Sequence, residues 1–316
     1  MMALSTPLRL LWLKNIHLAK GPRSITTEKF LTSKNTTINR PLINGKFTTY
    51  INNPSKTVEF YSHEADRFAA AAFESIEVSR SDPTHHPRSI GWRLIKAYYA
   101  AFFALHALIR IHGWACTRLT ADTINLINKQ IAALYPNSDK VSGGLYFIRA
   151  DQSGSELSFE KINTGATGGS HECLWGFLQI YIDEIINTTL SFRLDHEETQ
   201  VVVSTLESFK TFVQKKGGAV WFTQVRNRIN YSHGYGAWFP YTGSTCDLTR
   251  IDRAIEKWKE APDLNIPNTS DDEPLQFAAA CSFIVSICRI SVTDLKYRAV
   301  AQSPFKRSSG ALLQEL

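Results

Sequence analysis
The stretch FTQVRNRINYSHGYGAWFP, residues 222–240, gathers two arginines, two asparagines, a histidine and two tyrosines around a break rich in glycine and aromatic residues. An arginine and a histidine held a few residues apart can cleave RNA without a metal. The histidine moves protons as the 2′-hydroxyl attacks, and the arginine stabilises charge on the pentacoordinate phosphorus. Six residues lie between Arg226 and His233 and four between Arg228 and His233, so either arginine qualifies. The residue types are common enough that spacing alone does not select: arginines and histidines in these numbers give about 1.5 such pairs by chance. Arg80 and His85 repeat the four-residue gap, but in a loop flanked by prolines. Arg226 and Arg228 instead close a helical pattern that begins near Ala219.

Other polar clusters have simpler readings. Gly165, Gly168, Gly169 and Ser170 precede a helix and could cradle a phosphate through backbone N–H groups, but the lysine of a P-loop is missing, which favours a loop with Ser170 as N-cap. Asp195 and Glu198 have the spacing of a capping box rather than of a metal site. His85 and His86 sit in a proline turn, and His106 adjoins an apolar helix face, where a satisfied core or interface histidine is expected. There is no GxSxG or HExxH motif, and neither a cofactor nor a metal is expected.

The elements that must position Arg226 and His233 read as helices. Residues 57–78 carry good helix formers, and a second long helix follows, in which Ile95, Tyr98, Phe102, Leu105 and Ile109 recur at three and four residues. Ala100, Ala101, Ala104 and Ala107 permit close helix approach, and Gly113 stands where a C-terminal glycine belongs. A helix from about Thr120 to Pro136 precedes residues 143–162, whose alternation around DQSGSE predicts a β-hairpin. Helical patterns return near 170–190, 196–215, 218–231, 248–260 and 272–302. The fold class expected is mainly α: a helical domain over 57–302 with a hairpin insertion, an irregular or short-strand N-terminal extension over 1–56 and a C-terminal tail over 303–316.

With 316 residues, 43% of them apolar, the chain can bury a sizeable core, and its 35 basic against 29 acidic residues tilt it toward anionic partners. Five scattered cysteines without a CxxC pair indicate neither a zinc site nor a disulfide framework, and a reducing cytoplasm fits best. The early LRLLWLKNI is too short for a signal peptide. The uncharged run from Leu275 stops at Arg289, short of the roughly 20 apolar residues of a membrane span.

RNRINYSHGY resembles the signature of the HEPN superfamily, in which an arginine, often followed by asparagine, precedes a histidine by four to six residues. Arg226, Asn227 and His233 match that form, and Tyr235 follows in the H-x-Y arrangement of some HEPN toxins. AYYAAFFALHALIRIHG, Ala97 to Gly113, is similar to the early YYAxF helix of many such domains. The resemblance implies a HEPN-like helical bundle, commonly a homodimer in which the motifs of two protomers share a cleft. It implies a metal-independent endoribonuclease of a toxin–antitoxin or phage-defence system, with RNA as substrate and an antitoxin or sensor protein as a further partner. Arg226 would stabilise the phosphate, His233 would act as acid or base, and Asn227 would orient them. Arg228 would be a secondary phosphate contact or the catalytic arginine itself, and Tyr235 a site of regulatory modification or a packed aromatic. Two other readings use the same residues: a noncatalytic helical protein binding nucleic acid or a partner protein through this basic face, and a structural helix end capped by His233. The chain is about twice the length of a minimal HEPN unit, and its N-terminal region has no counterpart in that pattern.

Overall fold
The computed structural model describes residues 2–20, 25–77, 89–162, 169–192, 195–262 and 272–316. Arg80, His85, His86, Gly165 and Gly168, considered above, lie outside the described residues. The chain opens with helix α1 (Met2–Leu10), the short α2 (Thr27–Leu31) and strands β1 (Thr36–Ile43) and β2 (Lys46–Ile51). Long helices α3 (Pro54–Glu77) and α4 (Ile90–Ile111) follow, then β3 (Trp114–Leu119), α5 (Ala121–Leu134), β4 (Gly144–Ala150) and β5 (Glu156–Lys161). The remainder is helical: α6 (Ser170–Ser191), α7 (His196–Lys215), α8 (Val220–Ser232), α9 (Leu248–Glu256), α10 (Glu273–Arg298), α11 (Pro304–Arg307) and α12 (Ser309–Glu315).

The molecule is mainly helical with a small antiparallel sheet. Helix α4 is its axis, packed against α3, α6, α8 and α10. Its alanines are buried beside Leu94, Tyr98, Leu105 and Ile109, which lets neighbouring backbones come close. By length and apolarity α4 and α10 could cross a membrane, but 83% and 89% of their apolar windows are buried inside the fold, as in core helices. Helix α10 is apolar all round, unlike the amphipathic helices near the surface, because protein surrounds it.

The expected hairpin over 143–162 is present as β4 and β5, but it is not an isolated insertion. It forms the middle of a five-stranded sheet of order β1-β2-β5-β4-β3. Of the two expectations for the N-terminal region, the short strands are found rather than an irregular segment over 36–51: β1 and β2 form a hairpin whose second strand pairs with β5, setting Phe47 opposite Phe159. Asn44 and Gly45 make its two-residue turn, at φ 52° and 76°, the left-handed pair that a tight hairpin requires. The stacked rings of Phe47 and Phe159, 4.4 Å apart, join the N-terminal hairpin to the sheet, and Phe147 on Phe177, 4.0 Å apart, fastens the sheet to α6.

Leu8, Leu13, Ile16 and Phe30 belong to the same hydrophobic core as α4 and α10, and so does Phe305 from the C-terminal segment. That segment is helical rather than a loose tail, and the Ser309 backbone N–H donates to Asp66 Oδ1 of α3 at 2.9 Å. Residues before 57 and after 302 thus contribute to the same core as the helices between them. The cysteines are all free, although Cys116 of β3 and Cys173 of α6 have their Sγ atoms 2.9 Å apart in one buried hydrogen bond.

Candidate functional site
Helix α8 buries Trp221, Phe222, Val225 and Ile229, one face of a 3.6-residue period, and leaves Arg226, Asn227 and Arg228 nearer the surface. It stops at His233, whose backbone is left-handed (φ 47°, ψ 33°) and whose N–H donates to the Arg228 carbonyl. Glycine usually holds such a position. The His233 side chain is exposed and makes no hydrogen bond among the described residues. Gly234 must follow without a side chain, since a Cβ there would lie 2.6 Å from Arg228 Cγ. Tyr235 and Tyr241 also have positive φ, at 63° and 59°, so the turn after α8 concentrates backbone strain.

The turn is fixed to α4. Gly91 N–H donates to the Ala237 carbonyl at 2.9 Å, and Trp238 Nε1–H donates to the Ile229 carbonyl at 2.7 Å. The Trp238 ring fills the space beside Gly91, where a Cβ would lie 2.6 Å from Cε2. Thus RNRINYSHGY and the helix containing AYYAAFF pack together, and the N-terminal glycine of that helix makes the contact possible.

The two arginines face different surroundings. Arg228 Nη1 donates to Glu273 Oε2 at 2.8 Å and to the Tyr235 hydroxyl at 2.8 Å. The Tyr235 hydroxyl in turn donates to the same Glu273 oxygen, and Trp221 Nε1–H donates to Oε1 at 2.9 Å. Burial pushes the Glu273 carboxyl up, but these hydrogen bonds and the Arg228 charge together hold it below the usual range. Burial and the Glu273 partner push the Tyr235 hydroxyl upward, so it stays protonated. Arg228 is therefore neutralised locally.

Arg226 has no carboxylate partner among the described residues. Its guanidinium lies over the rings of Tyr98 and Tyr99, 5.5 and 6.0 Å from their centroids, and Nη1 donates to Asn227 Oδ1 at 2.8 Å. Its Nε is buried without a partner. Beside it stands a residue that spacing could not indicate, His171, in the first turn of α6. His171 stacks on Phe102 at 4.3 Å, its Nδ1 is 2.9 Å from the Tyr98 hydroxyl, and burial followed by the Arg226 charge lowers its pKa. Gly169, not Ser170, is the N-cap of α6. Asp195 caps α7 as expected, although its side chain accepts from the Glu197 N–H rather than completing a box with Glu198.

His106 is a satisfied core histidine: Arg110 Nη1 lies 2.8 Å from its Nδ1, and burial drives its pKa well down. Arg110 and Arg67 share Glu64 in an ion network whose Arg110 and Glu64 side chains are buried. The structure thus joins Arg226 to Asn227, and Arg228 to Tyr235, while among the described residues no side-chain hydrogen bond links the His233 imidazole to either pair. No protein-family model, no curated protein and no solved structure matches this chain.

Proposed function
We propose that the protein is a metal-independent endoribonuclease of HEPN type, acting in the cytoplasm as a homodimer in a toxin–antitoxin or phage-defence setting. The observation that carries this reading is the charge balance at the end of α8: among the described residues Arg226 has no carboxylate partner, whereas Arg228 is paired with Glu273. An uncompensated guanidinium on aromatic faces suits the charge that builds on a phosphoryl group under attack. In this reading Arg226 stabilises the phosphoryl oxygens, and Asn227 orients its guanidinium plane. His233 is the acid or base, presented to solvent by the left-handed turn. Arg228 holds the turn through Glu273, and modification of Tyr235 would first have to free its hydroxyl from Glu273. Trp92, Tyr231 and Phe239, 56%, 74% and 78% exposed, offer aromatic surface for a second protomer or a restraining partner.

The test is incubation of the purified protein with RNA in excess chelator. Products with 2′,3′-cyclic phosphate ends that disappear in Arg226→Ala and His233→Ala support the reading. Cleavage by His233→Ala at the wild-type rate overturns it. Salt-sensitive RNA binding with no product from the wild type would identify the noncatalytic binding protein instead.

A further inference from the structure
We infer that the Nε2–H of His171 is a second hydrogen-bond donor, beside the Arg226 guanidinium, for a phosphodiester monoanion seated between α4, α6 and α8. The inference rests on the proposed ribonuclease reading and adds to it a residue distant in sequence from the arginine and histidine of α8.

Proton accounting leads to it. Trp175 Nε1 can only donate, and it lies 3.1 Å from the Tyr98 hydroxyl oxygen. That oxygen accepts from Trp175 and also has the Thr223 hydroxyl beside it, and its own proton is assigned to His171 Nδ1 at 2.9 Å, the direction that the tautomer measurement below tests. Burial keeps the Tyr98 hydroxyl protonated, which preserves this direction. With Nδ1 occupied as an acceptor and the ring neutral, the imidazole proton sits on Nε2. No hydrogen bond to Nε2 exists within the described residues, and this edge of the half-buried ring is the one assigned to the ligand.

The orientation is fixed on other sides too. The His171 ring lies on Phe102 at an interplanar angle of 25°, with the Tyr99 ring edge-on at 6.0 Å. Arg226 lies over the same two tyrosines, and its charge acts on His171. One cation without a carboxylate and one neutral N–H donor balance a single negative charge. A phosphomonoester dianion would need a second cation, which the neutral imidazole does not provide. The pairing therefore selects a chain-internal phosphate over a terminal one. It also divides the labour: His171 binds through a fixed tautomer, while the exposed His233 side chain is left for the acid–base step of the proposed reaction.

The test uses the full-length protein and a dinucleotide whose 2′-deoxy sugar prevents cleavage. Nitrogen-15 NMR of the histidines, with His171 assigned from its loss in His171→Phe, should show a neutral Nε2–H tautomer at pH 8 and a midpoint of protonation below the ordinary imidazole value. Tyr98→Phe should release Nδ1 and give a tautomer mixture. His171→Phe keeps the stacking on Phe102 and should weaken dinucleotide binding about tenfold, as loss of one hydrogen bond to a charged group does. A His171 that titrates near pH 6.5, wild-type affinity in His171→Phe, or no binding of the dinucleotide by the wild type would each overturn the inference. RNA cleavage that depends on Arg226 and His233 but not on His171 would overturn it while leaving the ribonuclease reading in place.

Discussion
Replacing His233 by glycine should make the protein more stable and inactive at once. At φ 47° and ψ 33° the residue occupies the left-handed region, which costs an L-amino acid roughly 1–2 kcal/mol. Glycine removes that strain but loosens the unfolded chain, at a cost of about 0.4–1 kcal/mol. No side-chain hydrogen bond of His233 is lost, so the balance is a gain of about 0.5–1 kcal/mol. His233→Ala keeps the strain, loses the same imidazole and should match the wild type within about 0.5 kcal/mol. Urea unfolding of the three proteins, run beside the RNA cleavage assay, separates the effects. The expected order is glycine above wild type and alanine, with cleavage only in the wild type. A glycine variant less stable than the alanine variant would refute the strain argument. The chain would then be using His233 to hold the turn, not to present it.

Other perturbations probe the parts that hold the site. Gly91→Ala would press a methyl into Trp238 and displace the turn after α8, lowering stability by about 1–3 kcal/mol and reducing cleavage together, as unfolding curves and rates can show. Arg226→Ala should reduce cleavage by about 100-fold or more, whereas Arg228→Ala should cost about 1 kcal/mol or less of stability and spare most of the rate; equal losses of activity would reject the division between them. His112 is buried with both ring nitrogens unpartnered, and burial holds its pKa at about 3. The neutral folded form competes with an unfolded chain that takes up a proton below about pH 6.5, so stability is full above that pH and falls as pH drops toward 3, by about 1.4 kcal/mol per unit. His112→Phe should lower the pH slope of unfolding between pH 6 and 4.5 by about one proton; an unchanged slope would contradict it. Glu273, held below its usual pKa, contributes stability present above about pH 4.3 and lost as pH falls further, so the deficit of Glu273→Gln should shrink between pH 5 and 3.

Most helices were legible because their packing faces repeat with the helical period. Helix α7 lies over the residues that the pattern marks, and α4 carries the repeat from Ile95 to Ile109 and ends just before Gly113. The hairpin of β4 and β5 was legible from its two-residue alternation. The hairpin of β1 and β2 was obscured because polar threonines, asparagines and Pro41 dominate it, although Asn44–Gly45 is a strong turn signal. Strand β3 is short and follows directly on Gly113, where a helix end was the nearer reading. In the candidate site, spacing could nominate Arg226 and Arg228 equally. What separates them is Glu273, 45 residues beyond Arg228, and no local pattern encodes that pairing. His171 was invisible for the same reason: its partners Tyr98 and Arg226 lie on other helices, and only the packing of α4, α6 and α8 makes them neighbours.

The pairing of β2 with β5 bears on how the molecule can be cut. The helices carrying Tyr98, His171 and Arg226 all lie beyond residue 56, so a trimmed version starting at 57 would keep every proposed site residue. Trimming there would strip β5 of its neighbour from Lys46 to Tyr50 and leave a row of unpaired backbone groups beside the bared Phe159. An open strand edge of that kind is a template for association with other chains. The first 56 residues thus serve as the sheet's own cover, and aggregation is the expected outcome of removing them.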